Sequence, residues 1–349
     1  MAWHFKSLVL TGLLSGVIAA TPAMADLKLI GSGASFPAPI YGKWFKDFSK
    51  ETKGVRVDYQ SKGSGAGIQD FVNNTVDFAA SDAAMNDKEI GEVKEGVVLL
   101  PMTAGEVVLS YNLKGVKTLK LPRDVYPAIF MGKITKWNDP RITAANPGVK
   151  LPDEPITVVV RSDSSGTSFV FTGHLAAISD SFKSEVGQSK SPNWPKDGKI
   201  VKAPKNDGVT ATIKQTPGAI GYIEYGYAKL TKAPTVMLQN KAGNYVAPGS
   251  ESGKAALASA EFPAGDLPGG NVPDMRVWVS DPAGDQAYPI ASFTWLLLYK
   301  QQDAEKAKAL RELVEYCLTE GQKSADAMGY IPLPKNVVER VRTVSQMVQ

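Results

Sequence analysis

The sequence predicts an α/β protein of two domains. A unit of strand, Gly/Ser-rich turn and amphipathic helix occurs three times along the chain. Residues 26–349 are long enough for two domains of roughly 100–200 residues each. No short-period repeat and no long low-complexity run breaks the pattern.

The most informative of the three units is the third. Pro155-Ile-Thr-Val-Val-Val160 is a β-branched run that predicts a buried strand. Arg161-Ser-Asp-Ser-Ser-Gly-Thr-Ser168 follows, and then an apolar helical stripe of Phe169, Val170, Leu175, Ala176 and Ile178. Ser165, Gly166 and Thr167 therefore stand at a helix start, among unpaired N–H groups and the positive end of the helix dipole. Such a terminus is a ready anion site. Arg161 adds a permanent charge in a planar fork that matches two oxygens at once.

The first unit opens on the strand Leu27-Lys-Leu-Ile30, turns through Gly31 to Pro39, and continues as a helix with Ile40, Tyr41, Trp44, Phe45 and Phe48 on one face. Ser35 is its expected N-cap, with prolines early in the helix where a missing N–H costs least. Gly31-x-Gly33 resembles the start of a dinucleotide fingerprint. Phe36 stands at the third glycine position, however, where close helix–strand packing needs a small residue. In the second unit, Val55-Arg-Val-Asp-Tyr59 runs into Gly63-Ser-Gly-Ala-Gly67 and a helix with Ile68, Phe71 and Val72 inward. Ser64 sits at that turn. Three helix N-termini, each worth roughly half a positive charge, could meet at one ligand.

A fourth element carries the opposite charge. Val76-Asp-Phe-Ala-Ala-Ser-Asp82 reads as a short strand ending on an acid. Near neutral pH phosphate keeps one or two protons and sulfate keeps none. A buried carboxylate accepts a hydrogen bond from the first and repels the second. Asp82 is thus either a filter between oxyanions or a cap for the turn at 83–90.

The whole composition narrows the class. Lys6, an apolar stretch from Ser7 to Ala20 and Ala23-Met-Ala25 form a secretory signal pattern, residues 1–25, with cleavage expected before Asp26. Without them, 38 basic and 35 acidic residues leave a charge of +3. That is too even for a nucleic-acid surface. Cys317, the single cysteine, lies on a helical stripe with Leu310, Leu313, Val314 and Leu318 and is expected in the core. Stretches rich in Gly, Pro and Lys at 188–208 and 240–274 read as surface loops.

The loops, in their order, resemble the periplasmic phosphate-binding protein of the high-affinity phosphate ABC transporter. Gly33-Ala-Ser-Phe-Pro-Ala-Pro39, Asn74-Thr-Val-Asp-Phe78 with Ser81-Asp82, and Gly166-Thr-Ser-Phe-Val-Phe-Thr172 carry the likeness. So do Lys205-Asn-Asp-Gly208, Pro217-Gly-Ala-Ile-Gly-Tyr222 and Ile223-Glu-Tyr-Gly-Tyr227. The resemblance implies a class II periplasmic-binding-protein fold, two α/β lobes joined by two crossovers with the ligand cleft between them. Lobe one would comprise 26–103 and 287–349, and lobe two 104–286, with a crossover near Pro101–Val108 and a return through Ser292–Tyr299. The implied phosphate ligands are Ser35, Phe36, Ser64, Asp82, Arg161, Ser165, Gly166 and Thr167, with Asp163 orienting the arginine. Ser35 stands where the family often has threonine, Ser164 where it often has glycine, and Gly65-Ala66 where it often has a Ser-Gly pair. The implied activity is periplasmic capture of inorganic phosphate by a monomer and its delivery to a membrane permease, with no cofactor, no metal and no nucleic acid.

Two other readings stand beside it. A receptor for a sulfate-like oxyanion would share the cradle but conflict with Asp82. A secreted phosphatase or serine hydrolase would need a base beside a serine. Of the two histidines, His4 lies in the signal and His174 lies a turn or more into the helix after Thr167. No His/Cys spacing suits zinc. The chain is therefore expected to bind rather than to catalyse.

Overall fold

The computed structural model describes residues 1, 3 and 26–349. The signal pattern at 1–25 lies essentially outside them. An eight-stranded sheet runs through the molecule in the order Val55–Ser61, Leu27–Gly33, Phe78–Ser81, Ala291–Tyr299, Val97–Tyr111, Ala219–Glu224, Thr157–Arg161 and Lys199–Ala203. The three N-terminal strands are parallel to each other, and Ala291–Tyr299 is antiparallel to its two neighbours. A small sheet of Lys120–Leu121, Met237–Gln239 and Tyr245–Val246 lies apart.

One long strand connects the two lobes. Val97–Tyr111 is buried at every position; its many apolar residues suit a strand covered on both faces, and Thr103, Glu106 and Ser110 are buried with them. From Val97 to Glu106 it pairs with Ala291–Tyr299, and from Val107 to Tyr111 it pairs with Ala219–Glu224. The change of partner falls inside the expected crossover at Pro101–Val108. The return strand Ala291–Tyr299 pairs only within the first lobe, so the chain has already crossed before Ala291. The C-terminal helices Ala304–Leu318 and Lys335–Ser345 pack on that lobe, with Cys317 fully buried.

Helices form where the apolar stripes predict them. Ala38–Glu51 buries Ile40, Tyr41, Trp44, Phe45 and Phe48, and Ser64–Val72 buries Ile68 and Phe71. Two expected loops are partly regular instead. Lys199–Ala203 is an edge strand, and its exposed lysines, a common guard on sheet edges, hide the alternation. Ser250–Leu257 is a helix inside the Gly-rich 240–274 stretch.

Residues 262–276 pack on elements of the first lobe. Phe262 meets Phe293 at 5.3 Å between ring centroids, and Trp295 donates to Met275 O at 2.7 Å. Arg276 donates to Met85 O at 3.0 Å. The chain then returns to the second lobe, where Asp281 forms a two-pronged pair with Arg123.

Two acids are buried at the junction of the lobes. Glu106 accepts from Gly249 N–H at 2.8 Å and Ser252 Oγ at 2.9 Å. Neither oxygen of Glu224, which is fully buried, has a hydrogen-bond partner among the described residues. Burial pushes Glu106 up to about 8 and Glu224 well above the ordinary glutamate value. The folded state thus holds protons that the unfolded chain releases above about pH 4.5. Their stabilising effect is complete at acid pH and is lost as pH rises through about 8 for Glu106. The melting temperature should therefore fall between pH 5 and 9, and Glu224→Gln should flatten the fall. A Glu224→Gln melting profile that runs parallel to wild type would remove Glu224 from the explanation.

Candidate functional site

The three Gly/Ser turns and the acid converge on the seam between the lobes. Arg161, at the end of its strand, has a side chain only 1% exposed. Its Nε and Nη2 donate to the two oxygens of Asp163 at 2.8 and 2.6 Å, and its Nη1 donates to Thr167 Oγ1 at 3.2 Å. Burial alone would raise Asp163, but the Arg161 hydrogen bonds and charge, with Lys205 N–H, outweigh it and hold the carboxyl below its ordinary value. The fork is thereby fixed in one plane.

Ser165 is the N-cap of Gly166–Ile178, its hydroxyl accepting from Ser168 N–H at 3.0 Å. That arrangement leaves the Gly166 and Thr167 N–H groups without a protein acceptor among the described residues. Both residues are buried. Buried N–H groups are rarely left unpaired in a finished structure.

Across the seam, the first loop is pinned by tyrosines. Tyr59, Tyr227 and Tyr330 donate to the carbonyls of Ala34, Ser35 and Phe36 at 2.7, 2.6 and 2.8 Å. The N–H groups of Ser35 and Phe36 are, like those of Gly166, unpaired among the described residues. Phe36 contributes this backbone group, while its ring packs edge-on against Tyr330. Ser35 does not cap the following helix. The N-cap position is Pro37, with no side-chain bond, and Ser35 Oγ instead accepts from Asn206 N and Nδ2 at 3.1 and 3.0 Å. The Ser-Phe-Pro turn delays the helix by two residues and turns the hydroxyl toward the other lobe.

Asp82 is 1% exposed and caps nothing; Asn86 caps the short helix Asp87–Gly91. The carboxyl of Asp82 accepts from Thr294 Oγ1 at 2.9 Å and from Ser64 Oγ at 3.3 Å. Burial pushes it up to about 7, against the pull of Thr294, Arg161 and Ser64. Gly166 lies directly on Ser64 and Asp82, where a Cβ would stand 2.6 Å from Asp82 Oδ2. Every predicted site residue is thus in one cluster.

Three members of the cluster carry no sequence expectation. Asn206 is fully buried and ties the lobes together, its Nδ2 reaching both Ser35 Oγ and Thr167 Oγ1 and its Oδ1 accepting from Glu224 N–H. The Lys205-Asn-Asp-Gly208 motif marks its position but not its role. The Ile223-Glu-Tyr-Gly-Tyr227 motif likewise marks Tyr227 without its role, and Thr294 has no local signal at all. His174, by contrast, is committed elsewhere: its ring nitrogens bond Tyr126 Oη at 2.8 Å and Ser280 O at 2.7 Å, and burial pushes it down to about 4. It serves no serine as a base. Among the described residues no group of His, Cys, Asp and Glu is placed to hold a metal, and no helix is long and apolar enough to cross a membrane.

Comparison with known proteins agrees with this geometry. The family model described as a PBP superfamily domain matches residues 19–320. A Xylella fastidiosa protein named phosphate-binding protein PstS is 37% identical over 338 residues, covering 95% of this chain and 89% of that protein. The protein of the same name from Haemophilus influenzae is 38% identical over 323 residues, covering 90% and 92%. Among solved structures, a high-affinity periplasmic phosphate-binding protein bound with phosphate, PfluDING, superposes with a TM-score of 0.71 at 22% identity, covering 91% and 93%. A phosphate-binding protein from Stenotrophomonas maltophilia gives a TM-score of 0.70 at 22% identity, covering 90% and 93%. The chain has the two-lobed fold of these structures and belongs to the PBP superfamily, in the family of the phosphate-binding proteins PstS.

Proposed function

We propose that this protein binds one inorganic phosphate between its lobes and hands it to the permease of an ABC importer. The observation that carries the reading is the set of buried N–H groups without acceptors among the described residues, two in each lobe, facing a cluster that contains a rigid arginine fork. Ser35, Phe36, Ser64, Asp82, Arg161, Ser165, Gly166 and Thr167 would surround the anion, with Asp163 holding Arg161. The family of named phosphate-binding proteins supports the same ligand. A cradle of hydroxyls and amides with no base beside a serine activates no nucleophile, so no hydrolysis is assigned.

Lobe one would be 26–103 with 287–349 and lobe two 104–286, the 262–276 excursion serving as a cover on lobe one. Residues 1–25 would direct export, and the mature chain would act in the periplasm as a monomer.

Asp82 gives the site its preference. An ionised Asp82 accepts a hydrogen bond from a protonated phosphate oxygen and repels sulfate. Its value near 7 sets the direction with pH: below it the carboxyl is protonated and can donate to sulfate. Calorimetry on phosphate-stripped protein should give tight one-to-one phosphate binding at pH 8 and none with sulfate. Asp82→Asn should admit sulfate, because its amide can donate and relieves a mismatch costing about 1–3 kcal/mol, and should weaken phosphate only modestly, because its amide oxygen still accepts. No heat and no thermal stabilisation at millimolar phosphate would sink the proposed function. An unchanged phosphate-to-sulfate ratio in Asp82→Asn would move selectivity to another group.

A further inference from the structure

We propose that Thr294 is a positioning residue that determines oxyanion specificity, by donating a hydrogen bond to one oxygen of Asp82 and so favouring the ionised carboxyl, whose other oxygen lies on the side of the ligand. The inference rests on the reading of Asp82 as the filter and adds the group that sets it.

The geometry is specific. Thr294 is fully buried, and its hydroxyl donates to Asp82 Oδ1 at 2.9 Å. Asp82 Oδ2 is left toward Ser64 Oγ and the Gly166 helix start, which is the side of the oxyanion cradle. Thr294 lies at an irregularity in its strand. It stands opposite Thr103 while Trp295 stands opposite Pro101, so Met102 is an extra residue on the facing strand. On its other side Trp295 pairs with Ser81, the residue before Asp82. Bulges of this kind bend a sheet locally and re-aim side chains beside functional sites. Both partners belong to the first lobe, so the contact does not depend on lobe closure.

The remaining groups around Asp82 leave Thr294 in a deciding position. Arg161, from the second lobe, favours ionisation; Asp163 opposes it, as does Glu224 when ionised. Tyr41 and Tyr59 face it as neutral phenols whose own ionisation is suppressed by burial. Ser64 donates at the longer distance of 3.3 Å. Burial outweighs the attractions and leaves the carboxyl near 7, and Thr294 supplies the foremost of those attractions. Removing a hydrogen bond to a charged group shifts the balance by roughly one to two pH units. The sign is upward: without Thr294 the carboxyl keeps its proton to higher pH, and a protonated Asp82 donates to sulfate.

The experiment reads the carboxyl and the selectivity separately. Carbon-13 NMR titration of aspartate-labelled, ligand-free protein, with the Asp82 signal assigned through Asp82→Asn, should place the Asp82 midpoint one to two pH units higher in Thr294→Val. Thr294→Ala, which also lacks the donor and adds no bulk, should move it the same way, and Thr294→Ser should restore it. In competition calorimetry at pH 7.5, Thr294→Val should lower the phosphate-to-sulfate affinity ratio about tenfold or more, again with recovery in Thr294→Ser. An unmoved midpoint in both donor-less variants overturns the proposal, as does a wild-type ratio in them while Asp82→Asn loses selectivity. If Asp82→Asn itself keeps the wild-type ratio, the filter reading falls, and Thr294 loses its role with it.

Discussion

Gly166→Ala is expected to lose about ten- to a hundredfold in phosphate affinity while folding normally. An alanine Cβ here would overlap Ser64 Oγ, and it would stand 2.6 Å from Asp82 Oδ2 and 2.8 Å from Asp82 Cβ. Real Cβ atoms do not approach so closely, and Ser64 and Asp82 are themselves buried and hydrogen-bonded. The clash lies between lobes, because Gly166 opens a second-lobe helix and Ser64 and Asp82 belong to the first. Opening the seam relieves it. Within its own lobe alanine is tolerated, since Gly166 has no left-handed backbone and alanine favours a helix. Overpacking a close-fitted contact costs about 1–3 kcal/mol, which converts to the stated loss of affinity. Small-angle scattering should show the compaction caused by phosphate in the wild type to be reduced in the variant, with both melting alike without ligand. Wild-type affinity in Gly166→Ala would mean that the anion does not require this contact between the lobes.

The parts of this site that could be read in the sequence are those written locally. A β-branched run, a Gly/Ser turn and a 3.6-residue stripe lie within about 20 residues of one another, so the strand-to-helix turns holding Ser64 and Ser165 to Thr167 are legible. The Arg161–Asp163 fork is legible for the same reason, its members being two residues apart. What joins the turns is not local. Asn206 meets Ser35 across 171 residues, and Thr294 meets Asp82 across 212. No pattern near Thr294 distinguishes it from the apolar run around it. Ser35 shows the opposite failure. Its sequence neighbourhood predicts a cap, yet the loop's carbonyls are fixed by Tyr59, Tyr227 and Tyr330, and that tertiary pinning overrides the local preference. The Lys199–Ala203 strand was hidden by the lysines that protect its edge.

Arg161→Ala should weaken phosphate binding by a hundredfold or more, and Arg161→Lys should recover only part of the loss. The guanidinium is buried and planar, held by two bonds to Asp163 and one to Thr167. Its removal deletes a buried, fixed positive side chain from the cluster and leaves Asp163 a negative charge beside the anion with no guanidinium partner. A charge-assisted hydrogen bond contributes about 1.5–3 kcal/mol, or roughly ten- to a hundredfold each. A lysine ammonium supplies charge but cannot occupy both Asp163 oxygens and still point along the fork. Asp163→Asn should cost less, since it frees the fork without removing it. The two residues act as one unit, so the losses in the double variant should fall well short of the product of the single ones. The acid range separates orientation from charge. Asp163 is held below its ordinary value, so its pairing persists through mildly acid pH and breaks only as pH falls through that lowered value. Phosphate affinity in Asp163→Asn should therefore keep the wild-type pH profile from pH 6 to 9, displaced to weaker binding throughout. Calorimetric titrations of the three single variants and the double variant decide the matter. Equal affinity in Arg161→Lys and wild type would show that net charge alone holds the anion and that the fork is incidental.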